Sequence, residues 1–385
     1  MNFIKRFFNK PTQSFFLFGP RGTGKSTLVK TYYADSLWID LLAPETLRSF
    51  SARPERLFEA VQGNPDKKIV VIDEVQKIPT LLSVVHALME KDKSIQFILT
   101  GSSSRKLKHA GADLLAGRAL QKQLHPFMAA ELGDDFLLEK ALHIGLLPVL
   151  MGAKNPSEAL QAYVGLYLKE EIQEEGLVRN LENFSRFLEI ISFSHASLLN
   201  ITNIARDCEV KRKTVENYIE ILEELLLAFK LPIFTKRATR DLSTHPKIYL
   251  FDAGVFRALR PKGMLDRVEE IEGLALEGLV VQHLKAWNDY GAEKHDLAFW
   301  RTRSGLEVDI VVYGPLGFWA IEVKNATKIN LFDTKPLEAF LVDYPEAKGI
   351  ILYRGRERLL QKNILCLPCD EFLKGLQPNT PLWQD

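Results

Sequence analysis

Eight consecutive residues, Gly19-Pro20-Arg21-Gly22-Thr23-Gly24-Lys25-Ser26, carry the types and spacing needed to hold a chain of phosphates. They follow an apolar run, Phe15-Phe16-Leu17-Phe18, and lead into Thr27-Leu28-Val29. A strand ending at Phe18, a glycine-rich turn and a helix opening near Lys25 would aim several backbone N–H groups and a helix N-terminus at one point. Gly19, Gly22 and Gly24 let the backbone approach without a Cβ in the way, with Pro20, Arg21 and Thr23 filling the turn and Thr27 just inside the helix. Lys25 reaches the β- and γ-phosphates, and the Ser26 hydroxyl is an oxygen ligand for Mg²⁺.

A second stretch supplies the complementary chemistry. Ile69-Val70-Val71-Ile72 is wholly apolar and rich in β-branched residues, the pattern of a strand buried on both faces, and it ends in Asp73-Glu74. Two carboxylates then stand at a strand's C-terminal edge. Asp73 is assigned to Mg²⁺, and Glu74 to orienting or deprotonating an attacking water. A third strand, Gln96-Phe97-Ile98-Leu99, runs into Thr100-Gly101-Ser102-Ser103-Ser104. Thr100 there suits a γ-phosphate sensor, while the serines equally suit the cap of a following helix. Arg118, in Leu114-Leu115-Ala116-Gly117-Arg118, is a candidate to neutralise charge in a transition state, as are Arg21 and Arg105; a surface or ion-paired arginine is the competing reading for each.

The elements that must position these groups read as α/β. Strands over 14–18, 37–40, 68–72 and 95–100 alternate with amphipathic helices up to about residue 124, which predicts a mainly parallel sheet with its chemistry at the carboxyl ends of the strands. From 125 to 193 the apolar spacing becomes helical, as in Phe184, Phe187, Leu188 and Ile191. Residues 201–222 then fit two helices joined by a tight turn, with Ile204, Ala205, Val210, Val215, Tyr218 and Leu222 as their core. The segments 226–234 and 247–251 could add a β-wing. Lys211-Arg212-Lys213 opens the second helix, where a recognition helix meets a DNA groove; a packing or dimerisation module is the alternative.

The last chemical constellation lies in a hairpin, with Glu307-Val308-Asp309-Ile310-Val311-Val312-Tyr313 and Phe318-Trp319-Ala320-Ile321-Glu322-Val323-Lys324 flanking a four-residue turn. Tyr313 opposite Phe318 places Asp309 opposite Glu322 and Glu307 opposite Lys324, all on one face. Val308, Ile310, Val312, Trp319, Ile321 and Val323 then make the other face apolar. Opposed carboxylates on a buried hairpin repel unless a cation lies between them. Asp309 and Glu322 holding Mg²⁺, with Lys324 activating water, would suit phosphodiester hydrolysis; neutralisation by Lys324 without any metal is the other solution.

Asp309 followed by Glu322-Val323-Lys324 resembles the D…(D/E)-x-K core of the restriction-endonuclease-like superfamily. Taken with the phosphate loop, Asp73-Glu74, the paired helices and Lys247-Ile248-Tyr249-Leu250-Phe251-Asp252-Ala253-Gly254, the whole chain resembles a family of bacterial and archaeal AAA-type P-loop ATPases whose C-terminal half is a domain of unknown function. The resemblance implies a fold in three parts: an AAA-type ATPase core with a parallel sheet over residues 1–150, a helical and winged-helix domain over 151–262, and an α/β restriction-endonuclease-like domain over 263–385. It also implies Glu277, in Leu276-Glu277-Gly278, as a third metal ligand beside Asp309 and Glu322. ATP and Mg²⁺ are the cofactors expected. ATP hydrolysis coupled to a nucleic-acid transaction is the expected activity, with metal-dependent cleavage at the C-terminal end. A nucleotide-dependent switch or DNA-binding regulator with an inactive nuclease-like domain is the alternative.

Composition bounds these readings. With 385 residues, 46% of them hydrophobic, the chain can bury more than one core. A net charge of +1 provides no global field for nucleic acid, so DNA contact would need a local patch. Three cysteines give no disulfide framework, and Cys366-Leu367-Pro368-Cys369 is a lone C-x-x-C that reads as buried thiols. Neither a signal peptide nor a membrane span is legible, so the expected setting is cytoplasmic, without a membrane partner and with room for a homo-oligomer. Phe3, Ile4, Phe7 and Phe8 recur at helical spacing and predict a short helix packed on the ATPase core, with a membrane-surface helix as the alternative.

Overall fold

The computed structural model describes residues 3–103, 105, 107, 115, 117–167, 180–237, 240, 242, 244–264, 266–330 and 332–383. Ser104 lies outside the described residues, as do Leu114 and Ala116 beside Arg118. The chain divides into two compact units. One comprises Phe8–His125 with Ile221–Leu227, and the other Met1–Phe7, Pro126–Glu220 and Ala228–Asp385.

The first unit is a five-stranded parallel sheet. Its strands are β1 (Phe15–Phe18), β2 (Leu37–Asp40), β3 (Ile69–Asp73), β4 (Gln96–Gly101) and β5 (Leu120–Gln123), in the order β2-β3-β4-β1-β5. Helix α1 (Lys25–Tyr32) follows β1, and Leu81–Lys91 precedes β4. The central strands are apolar on both faces because helices cover both: Phe15, Phe16, Val70, Val71, Ile98 and Leu99 are all fully buried. One strand, β4, separates β1 from β3, so the phosphate loop after β1, Asp73 ending β3 and Thr100 near the end of β4 share one edge of the sheet. The sequence-predicted strands lie within a residue of those observed.

The helix expected over Phe3 to Phe8 does not form: residues 3–10 are irregular. Arg6 explains why. Its guanidinium is buried against Glu131 at 3.0 Å, the Pro126 carbonyl at 3.2 Å and the Tyr290 hydroxyl at 3.2 Å, and the Glu131 carboxylate also accepts the Phe7 N–H at 2.7 Å. A helix would use that N–H internally and turn Arg6 with the apolar side chains' opposite face to solvent.

The second unit contains two sheets. The smaller is antiparallel, β6 (Ser197–Leu198), β7 (Ala228–Leu231) and β8 (Lys247–Leu250) in the order β6-β8-β7; the helices Ile201–Asp207 and Arg212–Glu224 lie between its first two strands in sequence, the last turn of the second, from Ile221, being counted with the first unit. Of the apolar residues predicted to hold those helices, all are buried except Val210, which is half-buried. The larger sheet has six strands: β9 (Asp296–Arg301), β10 (Glu307–Gly314), β11 (Gly317–Lys324), β12 (Lys348–Tyr353), β13 (Leu359–Gln361) and β14 (Ile364–Pro368), ordered β13-β14-β12-β11-β10-β9. The long helix Val268–Tyr290 opens with Glu269 and Glu270, carboxylates that suit its positive end, and packs against β11.

The hairpin of β10 and β11 has the predicted register, Tyr313 opposite Phe318 and Val311 opposite Ala320. Its faces differ from strict alternation. The pairing of β10 with β9 slips between Val308 and Val311, a β-bulge, so that Val308 joins Val311 and Ala320 in one core cluster instead of lying with Ile310. The ladder with β11 ends at Ile310–Ile321. Asp309 and Glu307 thus lie past its last pair, and Glu307 sits opposite Arg301 of β9 instead of Lys324. Cys366, in the middle of β14, and Cys369, the first residue of the helix after it, are buried free thiols.

Candidate functional site

Between β1 and α1 the loop from Gly19 to Ser26 turns back on itself. Thr23 donates from both its N–H (3.3 Å) and its hydroxyl (2.8 Å) to the Pro20 carbonyl. Gly22 (φ 84°) and Gly24 (φ 88°) take left-handed conformations that favour glycine, and a Cβ on Gly19 would come within 2.4 Å of the Leu124 carbonyl oxygen. The Lys25 ammonium donates to the carbonyls of Gly19 at 2.7 Å and Pro20 at 3.3 Å, so in this state the loop cradles its own lysine. A bound β/γ-phosphate is a stronger acceptor than either carbonyl and would draw the ammonium outward.

Across from the loop, Asp73 is nearly fully buried and gathers hydroxyls. Ser26 Oγ donates to Asp73 Oδ1 at 3.1 Å, and Thr100 Oγ1 donates to the same oxygen. Thr100 Oγ1 also accepts the Glu74 N–H at 3.1 Å. One hydroxyl on β4 therefore ties together both acidic residues that end β3. Ser26 and Asp73 present two hard oxygens side by side, a pair that fits Mg²⁺ completed by water and phosphate oxygens. Glu74 has φ 61°, an uncommon conformation for a residue with a side chain, and its carboxylate is held by the Gln76 side-chain amide. Gln76 is itself buried over Gly101, where a Cβ would meet its Oε1 at 2.5 Å. Sequence reasoning missed Gln76; its position two residues beyond Glu74 was the available signal.

The arginines divide differently. Arg118 precedes β5, whose first residue, Leu120, pairs with Phe15 at the start of β1, so Arg118 lies at the edge of the sheet opposite the phosphate loop. There it pairs with Glu90 at 2.7 Å on the surface. Arg105 is ion-paired with Glu224.

In the second unit Asp309, Glu322 and Glu277 do come together, and with them a group the sequence reading left among the wing residues. Lys247, on β8, is 2% exposed; its Nζ lies 2.5 Å from Glu307 Oε1, 2.9 Å from Glu277 Oε1 and 3.6 Å from Asp309 Oδ1. Tyr249, two residues on and so on the same face of β8, donates its hydroxyl to Glu277 Oε1 at 2.6 Å. Burial works against the ammonium, but Glu277, Tyr249, Asp309 and Glu307 outweigh it and hold Lys247 well above the ordinary lysine range. Asp309 Oδ2 accepts the Val323 N–H at 2.9 Å, Arg301 donates to Glu307 at 2.5 Å, and Lys324 Nζ donates to Glu322 Oε1 at 2.7 Å. Burial, and after it the neighbouring Asp309, pushes Glu322 up to about 8. Its Oε2 has no hydrogen-bond partner among the described residues.

This set does not fit a divalent ion. An ammonium occupies the space that Glu277 and Asp309 would have to share with a metal, and Glu322 Oε1 is engaged by Lys324. Among the described residues, no group of three or more His, Cys, Asp or Glu side chains is placed to hold a metal ion. A lysine opening an otherwise apolar run, Lys247-Ile248-Tyr249-Leu250-Phe251, was the sequence signal for it.

Comparison with known proteins agrees with the first unit. Residues 11–133 match the AAA domain family; residues 135–266 and 272–372 match two domains of unknown function, DUF8612 and DUF4143. An uncharacterised protein of Mycobacterium tuberculosis is 25% identical over 369 residues, spanning 93% of this chain and 80% of its own. One of Methanocaldococcus jannaschii is 22% identical over 329 residues, spanning 77% and 71%. Among solved structures, AMPPCP-bound DnaA from Aquifex aeolicus overlays 55% of this chain and 82% of its own with a TM-score of 0.22 and 17% identity. The AAA match and the loop geometry together support an AAA-type P-loop ATPase domain that binds ATP. Among the described residues no helix is long and apolar enough to cross a membrane.

Proposed function

We propose that the first unit binds ATP with Mg²⁺ and hydrolyses it, and that the chain works as a nucleotide-driven switch. The observation that carries this reading is the convergence of Lys25, Ser26, Asp73, Glu74 and Thr100 at one sheet edge, with Ser26, Asp73 and Thr100 already joined by hydrogen bonds. The loop's N–H groups and Lys25 would hold the phosphates, Ser26 and Asp73 would hold Mg²⁺, and the ion would neutralise charge developing on the phosphates. Thr100 fixes Asp73 and the Glu74 backbone. Glu74 acts as base on the attacking water once Gln76 releases its carboxylate. Arg118 takes no part within its own subunit, and could meet a γ-phosphate only in a neighbour's site. Binding of a fluorescent ATP analogue with Mg²⁺ tests the reading: Lys25→Ala should weaken it by about tenfold or more, since a charge-assisted bond to phosphate is lost. Equal affinity in both proteins would refute it.

A nucleic acid is the partner this switch would favour, because Arg212 and Lys213 are exposed at the start of the second of two adjacent helices. Both cations pair with Glu216, which limits the patch, so binding should be weak and, with few phosphates neutralised, its salt dependence shallow. Metal-dependent cleavage by the C-terminal sheet is not part of this proposal, because its carboxylates do not fit a metal ion.

A further inference from the structure

The carboxylate cluster of the second unit combines residues from four elements. Glu277 comes from the helix Val268–Tyr290, Glu307 and Asp309 from β10, Glu322 from β11, and Lys247 from β8 of the other sheet. Four carboxylates are matched by three cations: Lys247 on Glu277, Glu307 and Asp309, Arg301 on Glu307, and Lys324 on Glu322. Lys247 contributes most to this balance. Its ammonium contacts oxygens of three side chains, and the Phe299 ring lies 5.5 Å from it on another side. Such carboxylates, brought together on a mostly buried sheet, require a cation between them. A divalent ion held by Glu277 and Asp309 would need their oxygens at 2.0–2.6 Å from one centre, and that centre would fall against the Lys247 ammonium.

We propose that Lys247 is the resident cation of this cluster, standing where a divalent metal would otherwise sit, so that the C-terminal sheet takes up no metal and cleaves no phosphodiester. The lysine reaches the cluster as part of the chain, from a strand that belongs to a different sheet. It therefore joins the two sheets of the unit through buried ionic contacts with Glu307 and Asp309 of β10, a structural role that a diffusible ion would fill only at sufficient concentration.

The test is Mn²⁺ binding to the full chain without nucleotide, followed by the paramagnetic resonance of the free ion, in the wild type, Asp309→Asn, Lys247→Met and the Lys247→Met/Asp309→Asn double variant. The wild type should bind no Mn²⁺ that Asp309→Asn removes, up to millimolar ion. Lys247→Met should gain one site per chain, at least about tenfold tighter than any wild-type binding, and the double variant should lose it. One Mn²⁺ per wild-type chain that disappears in Asp309→Asn would overturn the proposal. So would a folded Lys247→Met protein that gains no site. If Lys247→Met does not fold, the wild-type and Asp309→Asn comparison still decides the claim. Incubation of the wild type with single- and double-stranded DNA and RNA in Mg²⁺ or Mn²⁺ adds a second reading. Intact polymer is expected, and cleavage abolished by Asp309→Asn or Lys324→Ala would contradict it.

Discussion

Thr100→Val removes one hydroxyl and keeps the shape of the side chain, at a position that is fully buried. Two bonds are lost together: the donation to Asp73 Oδ1 and the acceptance of the Glu74 N–H. A hydrogen bond to a buried carboxylate contributes about 1.5–3 kcal/mol, and a partly buried N–H left without an acceptor costs about 1 kcal/mol more. Asp73 retains Ser26 at 3.1 Å, which keeps the total toward the middle of that range. The expected loss is therefore about 2–4 kcal/mol from the first unit. For a unit of this size that is roughly 6–14 °C in melting temperature. The hydrogen bonds of this hydroxyl run to Asp73 and Glu74, the groups assigned to the ion and the attacking water, so ATP affinity should stay within about threefold. Turnover should fall by about tenfold or more, because Asp73 and Glu74 lose the group that sets their positions. Thermal unfolding, nucleotide binding and phosphate release measure the three quantities separately, and Thr100→Ser should restore all of them. A Thr100→Val protein with unchanged melting temperature and turnover would refute the reasoning.

Gly24→Ala places a Cβ at φ 88° in the phosphate loop, a conformation present before nucleotide binds, so strain of about 1–2 kcal/mol should appear as a melting temperature lowered by roughly 3–7 °C, read by thermal unfolding. His283, buried with Nε2 accepting the Ala129 N–H at 2.9 Å and Nδ1 donating to the Leu279 carbonyl at 2.8 Å, is lowered to about 4 by burial. Between pH 4 and about 6.5 the unfolded chain binds a proton that the folded one does not, so this group's contribution to stability is lost as pH falls through that window, on the order of 3 kcal/mol. Asp252, raised by burial to about 6, acts in the opposite sense, its contribution shrinking as pH rises through 4 to 6. His283→Gln retains an acceptor for Ala129 and removes only the titration, so urea unfolding at several pH values should show a flatter acid limb in that variant; an unchanged limb would be the contrary result.

The first unit was legible because its chemistry and its fold are written in the same short stretches. Phe15-Phe16-Leu17-Phe18 and Ile69-Val70-Val71-Ile72 are apolar on both faces, so each announces a central strand and places the polar residues that follow it at the sheet's edge. The extra strand between them followed from Gln96-Phe97-Ile98-Leu99. Gln76 escaped because its position two residues beyond Glu74 points to a role only once the left-handed turn at Glu74 is known. In the second unit the hairpin register was legible from its turn, but the bulge near Asp309 was not, since one extra residue leaves the apolar count unchanged while reversing the faces beyond it. Lys247 was the larger omission. Its partners lie 30, 60 and 62 positions away, and only the packing of two sheets brings them within reach. Arg118 stayed open between a phosphate-facing and a surface role, because spacing does not say which edge of the sheet a residue ahead of a strand occupies; its surface pair with Glu90 is the competing reading.

The measurement that bears most directly on the central claim is single-turnover ATP hydrolysis with Mg²⁺ by the wild type and by Glu74→Gln, with nucleotide binding recorded on the same samples. The account predicts that the wild type converts bound ATP, whereas Glu74→Gln binds it as well and turns it over at least about a hundredfold more slowly, the range a general base contributes. Hydrolysis by Glu74→Gln at the wild-type rate would contradict the assignment of Glu74. A wild type that binds no ATP in the presence of Mg²⁺ would contradict the account as a whole.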